Sequence, residues 1–205
     1  GQLYQRLLRD EKAIRPDKDL AQAEQFRHGR GNFQLHYAID GPIRWKTPGL
    51  EDVALIHLAE SINSVSKSSN EAERGMLPET PTICPEGKSI LWLQIPDAPR
   101  VLNGDAAGQI DTQGAWTKAV REAFADRIEA VLARHIDGFA DSVLARRAYS
   151  PADLEALNIN LVGGDPYGGS CALDQFFIWR PFSHSVNNST EIRNLHHIGA
   201  STHPG

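Results

Sequence analysis

Phe33-Gln34-Leu35-His36-Tyr37-Ala38-Ile39 alternates with a period of two. Phe33, Leu35, Tyr37 and Ile39 fall on one face, and Gln34, His36 and Ala38 on the other. That is the pattern of a strand with one strongly apolar face. Asp40-Gly41-Pro42 stops it. Such a strand needs neighbours in a sheet and a layer over its apolar side. Ser89-Ile90-Leu91-Trp92-Leu93-Gln94-Ile95 supplies a neighbour; it is apolar on both faces, which predicts a central place in the sheet. Cys84-Pro85-Glu86-Gly87-Lys88 reads as the turn leading into it, and Pro96 and Pro99 as its close. The covering layer is a long helix predicted from about 113 to 136 and capped by Asp111 or Thr112. Trp116, Val120, Phe124, Ile128, Val131 and Ile136 recur there at helical spacing, with Arg121, Glu122, Asp126, Arg127, Glu129 and Arg134 between them.

Working outward, Leu3, Leu7 and Leu8 are spaced for one helical face, and Asp17 or Asp19 can cap a second short helix through Ala23. The run Val53-Ala54-Leu55-Ile56-His57-Leu58-Ala59 fits a buried strand or the start of a helix; its β-branched residues and the preceding Pro48-Gly49 favour a strand through Leu58, followed by a solvated helix from about Ser61 or Asn63 to Gly75. Residues 141–149 read as a strand. Ser150 is the N-cap and Pro151 the first residue of a helix ending near Leu157. Residues 163–169 form a Gly-rich loop, and Leu195-His196-His197-Ile198 reads as a last strand. Strands and helices are interspersed without regular βαβ alternation, which predicts an α+β fold with a mixed sheet packed by helices.

Composition narrows the function. The chain has 205 residues, 40% hydrophobic and 23% charged, with a formal net charge of −5. That balance argues against nucleic acid as a partner. The two cysteines, Cys84 and Cys171, form neither a CxxC pair nor a disulfide framework, and are expected as two buried thiols in a reducing cytoplasm. No apolar run approaches the roughly 18 residues of a membrane span. The only methionine is Met76 and the chain begins at Gly1, so both ends read as cut points.

The loop 163–169 lacks the Lys-Ser/Thr of a P-loop and the G-x-G-x-x-G of a dinucleotide fingerprint, so it reads as a sharp turn packing on another backbone. Eight histidines include no HExxH or HxH spacing, so no metal is expected. His57 reads as a core histidine. Ser201-Thr202-His203 is too compressed for one residue to activate another. Tyr37, Trp45 and Trp179 are candidates for lining a substrate cavity. His203, among small residues, is the candidate catalytic residue.

Several stretches taken together resemble the phytoene-desaturase-like, carotenoid-desaturase-related flavin oxidoreductases, in their pyridine-nucleotide-disulfide-oxidoreductase-like branch. They are Tyr37-Ala38-Ile39-Asp40-Gly41-Pro42 with Trp45, Gly75-Met76-Leu77-Pro78, Pro85-Glu86-Gly87-Lys88 before Leu91-Trp92, and Ser150-Pro151-Ala152-Asp153-Leu154-Glu155. Gly163-Gly164, Asp174-Gln175, Arg180-Pro181 and Asn194-Leu195 follow. The most specific is the terminal Gly199-Ala200-Ser201-Thr202-His203-Pro204-Gly205.

The resemblance implies an α+β substrate-binding domain over residues 1–194 and, from 195 to 205, the start of a C-terminal FAD-contacting segment. Gly199, Ala200, Ser201, Thr202, His203, Pro204 and Gly205 are then the cofactor-facing residues, and His203 a hydrogen-bond donor to flavin or substrate. The sequence departs from the family in lacking a G-x-G-x-x-G unit, in ending before the Gly-rich segment after the His-Pro-Gly, and in running from Ile83 directly into Cys84-Pro85 without an Asp-Pro-Ser-Arg-like loop. FAD affinity in such folds depends on a helix N-terminus at the pyrophosphate. FAD is therefore expected in the intact protein, with weak or no binding to these residues alone. The expected reaction is hydride removal from a C–H bond of a small apolar or amphipathic substrate, with a homodimer and a peripheral membrane contact of the intact protein left open. The alternative is a non-catalytic binding or assembly module derived from the same fold.

Overall fold

The computed structural model describes residues 2–10, 17–86, 90–184, 188–190 and 192–203. The fold is α+β, and the chain divides into two compact units. One is contiguous, Arg30–Leu154. The other joins Gly1–Gly29 to Glu155–Gly205.

The contiguous unit is built on the strand that opens the sequence analysis. β1 (Gly31–Ile39) lies between β4 (Ile90–Ala98) and β6 (Val143–Tyr149), antiparallel to both, and β3 (Cys84–Glu86) adds to the far side of β4. The short helix α4 (Phe139–Ser142) leads into β6, so the strand expected from 141 starts at Val143. A parallel pair, β2 (Met76–Leu77) with β5 (Gly104–Asp105), stands apart from this sheet. The apolar faces of β1 and β4 meet α3 (Lys118–His135). Phe33, Leu35, Tyr37, Leu91, Leu93 and Ile95 pack with Val120, Phe124, Ile128 and Leu132 in one core. Each fully buried side chain of this size contributes roughly 1.5–3 kcal/mol.

Polar clamps fix the edges of that core. On α3, Glu122, Asp126 and Glu129 converge on Arg146 of β6 at 3.1, 2.7 and 2.7 Å. Asp105 is sealed from solvent and accepts two hydrogen bonds of 2.7 Å from Arg127, with further bonds from the Gln109 and Ile110 amides. The helix α2 (Ile62–Glu73), capped by a reciprocal Ser61–Ser64 pair, is pinned to β4 where Ser68 donates to buried Asp97 at 2.8 Å.

Several local expectations are corrected. The long helix starts at Lys118 with Thr117 as its cap, because Gln113 and Gly114 both take left-handed backbone (φ 47° and 72°) that cannot continue a helix. Trp116 instead stacks on Phe33 from outside the helix. Cys84–Glu86 is a strand rather than a turn; Gly87 and Lys88 lie outside the described residues. β4 runs through Pro96, because Pro96 and Asp97 stand opposite the single residue Asn32 in a bulge where a ladder donor is not needed. Residues 53–58 form no strand. After a short 3₁₀ turn (Leu50–Asp52) the described residues bond at Leu58–Ile83 and Ile56–Pro85, with isolated bridges instead of a continuous strand, and Pro85 has no N–H to return the Ile56 bond. His57 in that segment is exposed rather than a core residue. Residues 195–198 make a single bridge, Ser189 to His196, instead of a strand. Of the two thiols, Cys84 is buried and Cys171 exposed.

The second unit gathers α1 (Asp17–Gln25), the short π-helical turn Leu3–Leu7, and the polypeptide after α5 (Pro151–Leu157), which begins in the first unit. Ser150 caps α5 as its sequence predicts: Ser150 Oγ accepts from the Asp153 amide, and Asp153 accepts from the Ser150 amide at 2.8 Å. Tyr4, Ala23 and Phe182 form a small second core. Polar bonds supplement it: His184 meets Asp19 at 2.6 Å, and Gln175 and the Arg27 backbone bond to each other twice. Among the described residues no helix is long and apolar enough to cross a membrane.

Candidate functional site

The second unit carries a cleft of about 430 Å³. One wall is the bend of small residues Gly199, Ala200 and Ser201, and facing segments contribute Leu3, Leu7, His28, Asn160, Val162 and Gly168. The wall is set by backbone demands. Gly199 has φ 109° and open space where a side chain would stand. Thr202 is buried and folds back to close the bend, its hydroxyl donating to the Gly199 carbonyl at 2.7 Å and its amide at 2.9 Å. Gly168 takes φ 64° and comes so near that a Cβ on it would lie 2.8 Å from the Ser201 nitrogen. The Gly-rich loop therefore does pack on another backbone, as its composition predicts.

Arg180 fixes both loops from below. It is buried, and its guanidinium donates to the carbonyls of Gln175, Tyr167, Gly169, Ser170 and Ala200. Phe176 supplies a ring 5.3 Å from the guanidinium carbon. Nearby, fully buried Asp165 accepts from the Gly29 and Tyr167 amides at 2.7 and 2.9 Å.

Three imidazoles, those of His28, His196 and His197, also line the cleft. His197 Nε2 and Ser201 Oγ share a hydrogen bond of 3.1 Å, and burial pushes the His197 pKa below its ordinary value, so the ring is held neutral. Among the described residues His197 Nδ1 and His28 Nδ1 are buried without hydrogen-bond partners, and His28 Nδ1 lies 3.8 Å from the Asp165 carboxylate. The cleft thus offers close approach to the main chain at Gly199, one neutral imidazole–hydroxyl pair, and buried imidazole nitrogens without hydrogen-bond partners among the described residues. Among the described residues no group of three or more His, Cys, Asp or Glu gathers to hold a metal ion.

Of the residues marked from sequence, Gly199, Ala200 and Ser201 line this cleft and Thr202 supports it. His203 is exposed, and Pro204 and Gly205 lie outside the described residues. The cavity candidates do not share one pocket. Tyr37 is sealed in the core of the contiguous unit, where burial and then Glu129 raise its pKa. Trp45 lines a pocket of about 180 Å³ in that unit with Ile43, Ile56 and Leu91. Trp179 lies in the second unit on an open groove beside Phe26 and Phe182. Sequence reading missed Arg180 as a clamp and the His197–Ser201 pair. The four-residue spacing of that pair across Gly199 is a visible signal once a turn is placed there.

With this geometry in view, similarity to known proteins is informative. The chain resembles pyridine nucleotide-disulfide oxidoreductase domain-containing protein 2. It is 28% identical to that protein of Mus musculus over 158 residues, which is 76% of this chain and 26% of the relative. The protein of the same name in Rattus norvegicus gives the same identity and coverage. No family model matches the chain. The chain spans about a quarter of the length of these curated relatives. The similarity agrees with the broader branch named from the sequence motifs and does not reach the desaturase subgroup.

Proposed function

We propose that this chain is part of an FAD-dependent oxidoreductase of the desaturase or dehydrogenase type, and that the bend at 199–201 is one lip of its flavin site. The observation that carries the reading is the open wall of the cleft at Gly199, where no atom stands in the place of a side chain, on a bend that Gly168 packs against and Arg180 bonds. The similarity to relatives whose name contains oxidoreductase supports the reaction class. The residues fit one edge of a planar, hydrogen-bonding group. A side chain at Gly199 would occupy the space such a group needs, and the buried Nδ1 of His197 has no hydrogen-bond partner among the described residues. When bound, a flavin supplies the electron sink for hydride removal from a C–H bond. The chain's own contribution is to present the backbone of 199–201, keep His197 neutral beside Ser201, and bring His203 to the edge of the site. The substrate is a small apolar or amphipathic molecule.

The test compares two polypeptides. This chain titrated with FAD is expected to retain little or none, while a polypeptide that also carries a dinucleotide-binding unit holds one flavin. In the latter, Gly199→Val displaces the flavin and His203→Ala slows turnover. A longer polypeptide that purifies without a flavin absorbance band, and takes up none on titration, would overturn the reading.

One observation favours a non-catalytic assembly module instead. Leu173, Phe177, Ile178 and Trp179 expose apolar surface along one short stretch of the second unit. Self-association abolished by Ile178→Glu, in a protein that binds no flavin, would select that alternative.

A further inference from the structure

The contiguous unit contains a second chemical arrangement, independent of the cleft. Ile56 donates to the Pro85 carbonyl at 3.1 Å, and Leu58 and Ile83 exchange backbone bonds of 2.8 and 3.1 Å. These bonds flank His57 on one side and Cys84 on the other, so the register sets the two residues opposite each other across a pair of extended segments. Alternation turns Ile56 and Ile83 into the protein, where both are buried, and leaves His57 and Cys84 on the outer face. His57 Nδ1 lies 3.2 Å from Cys84 Sγ. The thiol is only 7% exposed while the imidazole is exposed.

We propose that Cys84 and His57 form a reactive thiol site that takes small hydroperoxides. A buried cysteine in an apolar setting is inert, because burial disfavours the thiolate. Cys84 differs in having a base within proton-transfer distance, and that base reaches solvent. The imidazole side of the pair is exposed, so a small opening there admits a molecule the size of a peroxide. Protein-sized partners and bulky electrophiles are excluded by the same burial. In the reaction the thiol proton passes to His57 and the sulfur attacks the terminal oxygen of the peroxide. An S–O bond forms as the O–O bond breaks, and the departing alkoxide or hydroxide takes the proton back from His57. Sulfur loses two electrons, the peroxide gains them, and the products are a sulfenic acid and an alcohol or water.

Cys171 is exposed and serves as an internal control. The folded chain is treated with hydrogen peroxide in the presence of dimedone, and trapping at each cysteine is followed by mass spectrometry. Cys84 is expected to be trapped about tenfold faster than Cys171 despite its burial. His57→Phe keeps the planar cover and removes the nitrogen; it is expected to bring Cys84 to or below the Cys171 rate, with Cys171 itself unchanged. If His57→Phe fails to fold, His57→Gln gives the same readout. Trapping of Cys84 no faster than Cys171 in the native chain, or a rate unaltered by loss of the imidazole, overturns the proposal.

Discussion

Gly168 lies against Ser201 with no room between them: a Cβ on the glycine would stand 2.8 Å from the serine's backbone nitrogen. Gly168→Ala therefore meets two penalties at once, a clash with main chain and a left-handed φ of 64° that alanine adopts poorly. The expected loss is about 1–3 kcal/mol in urea unfolding. Proteolysis should find residues 199–203 first in the variant.

Arg180→Met should loosen the same wall from beneath. Methionine fills the volume but leaves carbonyls at 167, 169, 170, 175 and 200 without their donor. A loss of roughly 3 kcal/mol is expected. Arg180→Lys restores part of it, since an ammonium reaches fewer of the five acceptors at once. Thermal melting of the three proteins in parallel checks the order wild type, Lys, Met.

Acid unfolding should report on Asp105. Burial acts to raise its pKa, but the Arg127 guanidinium and the Ile110 and Gln109 amides outweigh burial and hold the carboxyl below its ordinary value of 3.8. A lowered folded pKa gives stability that is present above the unfolded value and is lost as pH falls through the folded one. Asp105→Asn should flatten this part of the acid limb. At neutral pH it should cost about 3–5 kcal/mol, because Arg127 is left buried without its counter-charge. Denaturant midpoints at a series of acidic pH values decide it.

His197 titrates in a higher window. Burial lowers its folded pKa from 6.5, so its contribution is complete above that value and declines as the pH falls toward the folded value, where the unfolded chain gains a proton first. His197→Asn should remove this dependence while leaving the acid limb set by Asp105 intact. Urea midpoints at pH values on either side of 6.5 provide the measurement.

The sheet centre was legible because its residues announce themselves locally. The alternation of Phe33, Leu35, Tyr37 and Ile39 and the two-faced run at Leu91–Leu93 need only the strand period to be read. The Ser150 cap was equally local. What escaped was set by partners distant in sequence. Pro96 continues a strand because it sits in a bulge opposite the single residue Asn32, and at 56 the pairing is one-sided because Pro85 cannot donate. In the cleft, small residues at 199–201 were visible as a wall. The arginine holding that wall draws its acceptors from five separated positions, which no local pattern displays.

The split of the second unit into Gly1–Gly29 and Glu155–Gly205 bears on events at the ribosome. Domains tend to fold as units during synthesis, in the order they emerge. The contiguous Arg30–Leu154 has all its strands available once Tyr149 is translated, whereas Tyr4, Asp19 and Arg27 must wait for Phe182, His184 and Gln175. Gly1–Gly29 is thus translated before the contiguous unit yet finds its place after it, and until then its apolar side chains are in the keeping of water or a chaperone.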